Sequence, residues 1–196
     1  MEEKVSFQSD GLKIAGLVDI PAEYKTGERR PAFITLHGFG GNKDGQGQKV
    51  VAKQLSQWGY ISLRLDFRGC GDSEGERGRI ICLDQVADTR NAISYLATRP
   101  QVDPARIGLI GSSFGAAVAV FTGGADKRVA AVISCGGWGD GERKFRGQHP
   151  GAEIEHAVGV VAVDRDIPDG ADDHGPFGGL ARHLQDRAAA KGPFEN

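Results

Sequence analysis

Short apolar runs alternate with helically spaced apolar positions along this chain, and the alternation predicts its architecture. Lys4–Gln8 and Lys13–Ile20 read as strands joined through Asp10-Gly11, a strong hairpin signal. Pro31–Leu36, with Phe33, Ile34 and Leu36, is a short apolar run that ends in glycine-rich sequence, as a buried strand does. Val50, Val51, Leu55 and Trp58 then fall at helical spacing over Gln46–Trp58, with Gly59 as the stop. Tyr60–Leu65 reads as another buried strand, Leu83–Leu96 as a helix ahead of Pro100, and Arg106–Ile110 as a third strand of this kind. Phe114–Phe121 follows as a helix of small residues and Val129–Ser134 as a fourth strand. Strand–helix alternation implies right-handed crossovers, and so an α/β fold: a mostly parallel sheet with helices on both faces, preceded by an antiparallel hairpin.

Length and composition narrow the class without changing that picture. A chain of 196 residues fits one domain around one core. With 39% hydrophobic and 26% charged residues it has the make-up of a soluble globular protein rather than a disordered or fibrous one. A net charge of −2 argues against a nucleic-acid partner, which calls for a basic excess. Apolar runs such as Gly115–Phe121 and Val129–Ile133 fall far short of the ~18–20 residues of a spanning helix, so no membrane segment is expected. The acidic start lacks the regions of a secretory signal, and Cys70, Cys82 and Cys135 make no disulfide framework, so a cytoplasmic location is expected.

The chain is not uniform, however. Residues 1–146 carry 20 Lys and Arg against 17 Asp and Glu, whereas residues 147–196 carry 4 against 9. The second stretch holds His149, His156, His174 and His183 but no Ser or Thr, although fourteen Ser and Thr precede it. Sequence thus separates a body, 1–146, from an atypical acidic segment, 147–196. That segment reads either as an extension of chance composition or as a part altered by truncation, rearrangement or a change of reading frame.

Candidate chemistry gathers at strand ends. Gly111-Ser112-Ser113-Phe114-Gly115 follows one predicted strand and opens a helix. A nucleophile on a strained strand-to-helix turn needs near-absent side chains two positions either side, which Gly111 and Gly115 supply. The helix N-terminus also sets backbone N–H groups beside Ser113 Oγ, where an oxyanion would form. His37-Gly38-Phe39-Gly40-Gly41 follows the first parallel strand, and its glycines let the chain double back so that the Phe39 N–H joins that of Phe114 in a two-donor oxyanion hole. A dinucleotide fingerprint would need glycine where Lys43 stands, which disfavours an oxidoreductase.

Together with Leu65-Asp66-Phe67-Arg68-Gly69-Cys70-Gly71-Asp72-Ser73, these motifs resemble, in the same order, those of the α/β-hydrolase family, in its serine esterase and dipeptidyl- or acyl-peptidase branches. The resemblance covers about residues 31–140. It implies that Asp66 and Arg68 brace the loops around the nucleophile, with His37 and Gly38 in support; spacing alone also allows a solvated surface pair. It further implies a serine hydrolase that cleaves an ester, thioester or amide of a small-molecule or peptide substrate through an acyl-enzyme on Ser113. No cofactor or metal is required.

In this family the acid and the histidine follow the nucleophile, each after a later strand. Val158–Val163 ahead of Asp164-Arg165-Asp166 is similar to the strand-then-acid motif, which makes Asp166 the candidate acid, with Asp164 behind it. Ile167–His174 is similar to the strand end that presents the histidine, so His174 is the candidate base. Asp166 and His174 are too close for the crossover of at least ~10–12 residues between parallel strands; His183 is farther but lies on a predicted helix. Metal binding by the four histidines of this stretch lacks a recognised ligand spacing. Only 83 residues follow Ser113, little room for the sheet's remaining strands. The competing reading is therefore a truncated or inactive hydrolase-like protein, serving as a binding module or having no catalytic role.

Overall fold

The structure, a computed structural model, describes residues 1–137 and the strand at 158–161, all within the first of two units into which the chain divides, Met1–Val163. Ten elements follow one another: β1 (Glu2–Ser9), β2 (Leu12–Asp19), β3 (Arg30–Leu36), α1 (Gln46–Gln57), β4 (Ile61–Leu65), α2 (Cys82–Ala97), β5 (Val102–Ser112), α3 (Phe114–Ala125), β6 (Val129–Cys135) and β7 (Val158–Val161). They build one seven-stranded sheet in the order β1-β2-β4-β3-β5-β6-β7. Its centre, β4-β3-β5-β6, is parallel, and β1 with β2 forms the expected antiparallel hairpin. The hairpin closes through Asp10 and Gly11 at φ 49 and 81, the left-handed pair that a tight turn between right-twisted strands requires.

Strand order fixes where the helices lie. The chain moves outward from β3 to β4 through α1, then back past β3 to β5 through α2 and on to β6 through α3. Right-handed crossovers in opposite directions put α1 on one face and α2 with α3 on the other, and α2 indeed packs on α3. The loops after β3 and β5 therefore diverge to opposite faces, and adjacent strands whose connections part in this way leave a crevice at their carboxyl ends.

Between the helical layers the sheet is solid. Ala32, Phe33, Ile34 and Leu36 of β3, with Ile61, Leu63 and Leu65 of β4, are all but sealed from solvent. Runs rather than alternating apolar residues were the mark of these strands, as befits a sheet covered on both faces. The Phe33 ring lies edge-on to Tyr60, with centroids 5.5 Å apart, and fills the space over Gly108, where an added Cβ would come within 2.4 Å of a ring carbon.

Three elements differ from expectation for identifiable reasons. β5 begins at Val102, four residues before the predicted start, because its pairing with β3 skips past Pro104 through a register shift between Arg30 and Ala32. α3 runs through Gly123 to Ala125 because Gly123 is pressed against β6, with its Cβ position 2.4 Å from Val132 Cγ2. β7 lies where a strand is predicted but runs antiparallel to β6, pairing Val158 with Cys135 and Val161 with Val132.

Gly108→Ala should lower the stability of the protein by about 1–3 kcal/mol, the usual cost of overpacking a filled core. Urea denaturation measures this, and a change within ~0.5 kcal/mol would mean that Phe33 can move aside.

Candidate active site

Ser113 occupies the turn between β5 and α3 with φ 52 and ψ −117. Apart from Asp10 in the hairpin, it is the only non-glycine residue at positive φ among those described. Such a conformation costs energy and persists only where the surroundings impose it. Here they do so by crowding. A Cβ on Gly111 would meet the Gly115 carbonyl oxygen at 2.1 Å, and one on Gly115 would meet the carbonyl oxygens of Leu36 and His37 at 2.4 and 2.5 Å. The turn is thus wedged against the end of β3, and its serine is turned outward and exposed. The Ser113 N–H donates to the Cys135 carbonyl at 2.9 Å, which ties the turn to β6 as well.

The loop after β3 closes over the same point. The Cβ position of Gly38 lies 3.3 Å from Ser113 Cβ and 3.9 Å from Ser113 Oγ. Phe39 follows, its side chain exposed and its ring edge-on to that of Phe114, with centroids 5.8 Å apart. Phe114 is the first residue of α3, where helix geometry directs N–H groups out of the helix end. Gly38, Phe39, Ser113 and Phe114 therefore meet at one place, and it is the crevice that the topology opens.

His37 stands beside the Ser113 turn but is engaged elsewhere. Its Nε2 accepts the Phe67 N–H at 3.1 Å, so the ring proton is on Nδ1, which donates to the Gly38 carbonyl at 2.8 Å. The ring also lies edge-on to Phe67 at 4.8 Å. Burial pulls its pKa below the ordinary imidazole value, against the opposing pull of the Gly38 carbonyl and the Asp66 charge. With both nitrogens occupied, this histidine positions chain rather than moving protons.

Asp66 and Arg68 go separate ways. Asp66, sealed from solvent at the end of β4, accepts the Lys43 N–H at 2.5 Å, the Lys43 ammonium at 2.9 Å and the Asp72 N–H at 2.8 Å. It is not half of a surface pair. Gly71, at φ 47, passes so close that its Cβ would fall 2.1 Å from an Asp66 oxygen. Arg68 instead grips buried Asp88 of α2 through Nε at 3.0 Å and Nη2 at 2.8 Å, and reaches Asp10 of the hairpin at 2.8 Å. The Asp88 bonds raise the Arg68 pKa further, burial notwithstanding. Lys43 and Asp88 did not emerge from the sequence, where a lysine after a glycine-rich loop and an aspartate in a helix look like ordinary surface residues.

Asp166, His174, Asp164 and His183 lie outside the described residues. So do His149 and His156. The strand ahead of Asp166 is described and runs antiparallel to β6. Val161, its last residue, lies beside Val132 rather than beside Cys135, which pairs with Ser112 at the Ser113 end of the sheet. Among the described residues no group of His, Cys, Asp and Glu is placed to hold a metal ion, and no helix is long and apolar enough to cross a membrane. Burial raises the thiol pKa of Cys70, Cys82 and Cys135, which disfavours the thiolate.

Residues 27–169 match the family described as serine aminopeptidase, S33. Among curated proteins the chain is 38% identical over 138 residues to the polyketide transferase ATR5 of Stachybotrys chlorohalonatus, covering 67% of this chain and 43% of that one. It is 31% identical over 162 residues to the quorum-quenching protein AidA of Acinetobacter baumannii, covering 82% and 52%, and 35% identical over 136 residues to the thiohydrolase apmlB of Arthrinium phaeospermum, covering 68% and 42%. The chain thus spans about half the length of these relatives. Among solved structures, the α/β hydrolase GrgF of a Penicillium species superposes with a TM-score of 0.66 at 25% identity, covering 100% of this chain and 69% of that one.

The state of His37 predicts a pH dependence. The unfolded chain takes up its proton near ~6.5, whereas the folded chain resists it. The stability that neutral His37 contributes is therefore fully present above ~6.5 and is lost as pH falls below that value. Urea midpoints between pH 7.5 and 5 should decline less in His37→Gln than in the unmodified protein; parallel declines would assign the loss to another group.

Proposed function

Because the chain belongs to the serine aminopeptidase S33 family of α/β-hydrolases, we propose that it is a serine hydrolase acting through an acyl-enzyme on Ser113. One observation carries this reading: a serine held at φ 52 between strand and helix, with Gly38 and the loop of Phe39 packed over it. That geometry suits a nucleophile because the hydroxyl stands clear of its own backbone while donors converge beside it.

In this reading Ser113 Oγ attacks the carbonyl carbon of an ester, thioester or amide while a histidine removes its proton. Charge on the carbonyl oxygen is received by the N–H groups of Phe39 and Phe114, fixed dipoles that need no rearrangement as the charge develops. Collapse expels the alcohol, thiol or amine, which takes the proton from the histidine and leaves the acyl group on Ser113. Water, deprotonated by the same histidine, then releases the acid. On the family resemblance His174 is the first candidate base, with His183 as the alternative, and Asp166 the candidate acid; the short stretch between Asp166 and His174 allows only one of these two its usual place at a strand end.

The names of the relatives direct the choice of substrate. Two fungal relatives are named as a thiohydrolase and a polyketide transferase. A thioester of a small organic acid is accordingly the first substrate class proposed, and transfer of the acyl group to an alcohol or amine instead of water is the second reading.

A fluorophosphonate probe should label the protein at one site and lose it in Ser113→Ala, with p-nitrophenyl acetate turnover falling by roughly a thousandfold or more. An unlabelled protein would leave a hydrolase-like chain without catalytic role. His174→Ala should abolish turnover and His183→Ala should not; the reverse result moves the base to His183, and full activity in both removes either assignment.

A further inference from the structure

The chain between β3 and α1 that carries Phe39 is short, glycine-rich and exposed at its tip, yet it is fastened at both ends. At the near end the His37 ring accepts the Phe67 N–H. At the far end Lys43 is held at three separate atoms. Its N–H donates to Asp66 Oδ1 at 2.5 Å, its carbonyl accepts from the Arg64 guanidinium at 3.2 Å, and its ammonium donates to Asp66 Oδ2 at 2.9 Å and to Asp72 at 2.6 Å. Only 6% of Lys43 is exposed, and 2% of Arg64.

The partners of Lys43 are themselves immobile. Asp66 N–H donates to the Ala15 carbonyl at 2.9 Å, and Ser73 bridges the Asp66 carbonyl at 2.6 Å and the Ala15 N–H at 2.8 Å, which fixes the Asp66 loop to β2. Arg64 is fixed by Asp19, at 2.9 Å from its Nε, and by Glu2. Both sides of the Lys43 backbone are thus referred to the sheet itself. Residues 38–42 span the two fastenings and include Gly40 at φ 64.

We propose that Lys43 is a positioning residue: its buried ion pair with Asp66 clamps the loop of residues 38–42 so that the Phe39 N–H is aimed at the carbonyl oxygen above Ser113. The proposal rests on the serine hydrolase reading for its catalytic consequence, but not for the clamp. Burial alone would lower the pKa of Lys43, yet hydrogen bonds to Asp72, Asp66 and Asp44 raise it above the ordinary lysine value, so the clamp stays charged through the working pH range. A donor displaced from the developing oxyanion forfeits stabilisation made only in the transition state, so losing the clamp should lower kcat and spare KM.

Native-state hydrogen exchange on the unmodified full chain tests the clamp directly. The Lys43 amide should exchange at least about 100-fold more slowly than in a free peptide; an unprotected amide overturns the proposal whether or not the protein is active. Kinetics with p-nitrophenyl acetate test its consequence. Lys43→Met, shown to be folded by circular dichroism, should lose roughly 10- to 100-fold in kcat, less than the ~10²–10³ of a donor removed outright, with KM within about twofold. Arg99→Met, which breaks an ion pair between the end of α2 and Glu3, should keep its kcat while losing stability. A folded Lys43→Met with kcat within twofold of the unmodified protein overturns the positioning role. Failure of the unmodified protein to react with the fluorophosphonate overturns the hydrolase reading instead, and the exchange result then stands alone.

Discussion

How closely the start of α3 can approach the end of β3 governs the rest of this molecule. The approach is possible only because Gly115 has no side chain to strike the Leu36 and His37 carbonyls, and because Gly111 has none to strike Gly115. Once the two segments touch, Ser113 has no relaxed conformation available and is driven into the left-handed region. The same contact brings Gly38 against Ser113 and the Phe39 ring against Phe114. A steric limit on two glycines thereby sets the distance between Ser113 and the loop that faces it.

Around that contact the charges are arranged to hold rather than to react. Burying an ion costs several kcal/mol, repaid only by a close partner and further hydrogen bonds. Asp66 meets both conditions with Lys43 and two backbone N–H groups, and Arg68 meets them with Asp88 and Asp10. The first pair ties the loop after β3 to the end of β4; the second ties that same strand end to α2 and to the hairpin. Neither pair includes Ser113, and between them they tie the loop after β3, the end of β4, α2 and the hairpin into one frame.

Much of this was legible in the sequence. Apolar runs gave β3, β4, β5 and β6 to within a few residues, and helical spacing gave α1 and α2, because a buried parallel sheet and its covering helices leave different periods. The glycine pattern at 111 and 115 pointed to a strained turn because only sterics of that kind call for it. What stayed hidden was long-range. Nothing local distinguishes the four-residue strand β7 as antiparallel, since direction is decided by the partner strand. Nor does a lysine or an aspartate announce that it will be buried; Lys43 and Asp66 are 23 residues apart, and Arg68 and Asp88 are 20. The extension of β5 past Pro104 and of α3 through Gly123 likewise depends on neighbours that the local sequence does not contain.

The N-terminal hairpin has a consequence for the protein in a crowded solution. β1 ends the sheet on one side, and an unpaired strand edge is a template on which another chain can add. Glu2, Lys4, Ser6 and Gln8 are exposed along it, and the Glu2 and Glu3 carboxylates are drawn into pairs with Arg64 and Arg99. A newcomer would have to strip water from alternating charged and polar side chains and would find little apolar surface in return. The charged and polar residues of this edge strand thus make it a poor template for self-association, so the strand that ends the sheet on this side also discourages its extension.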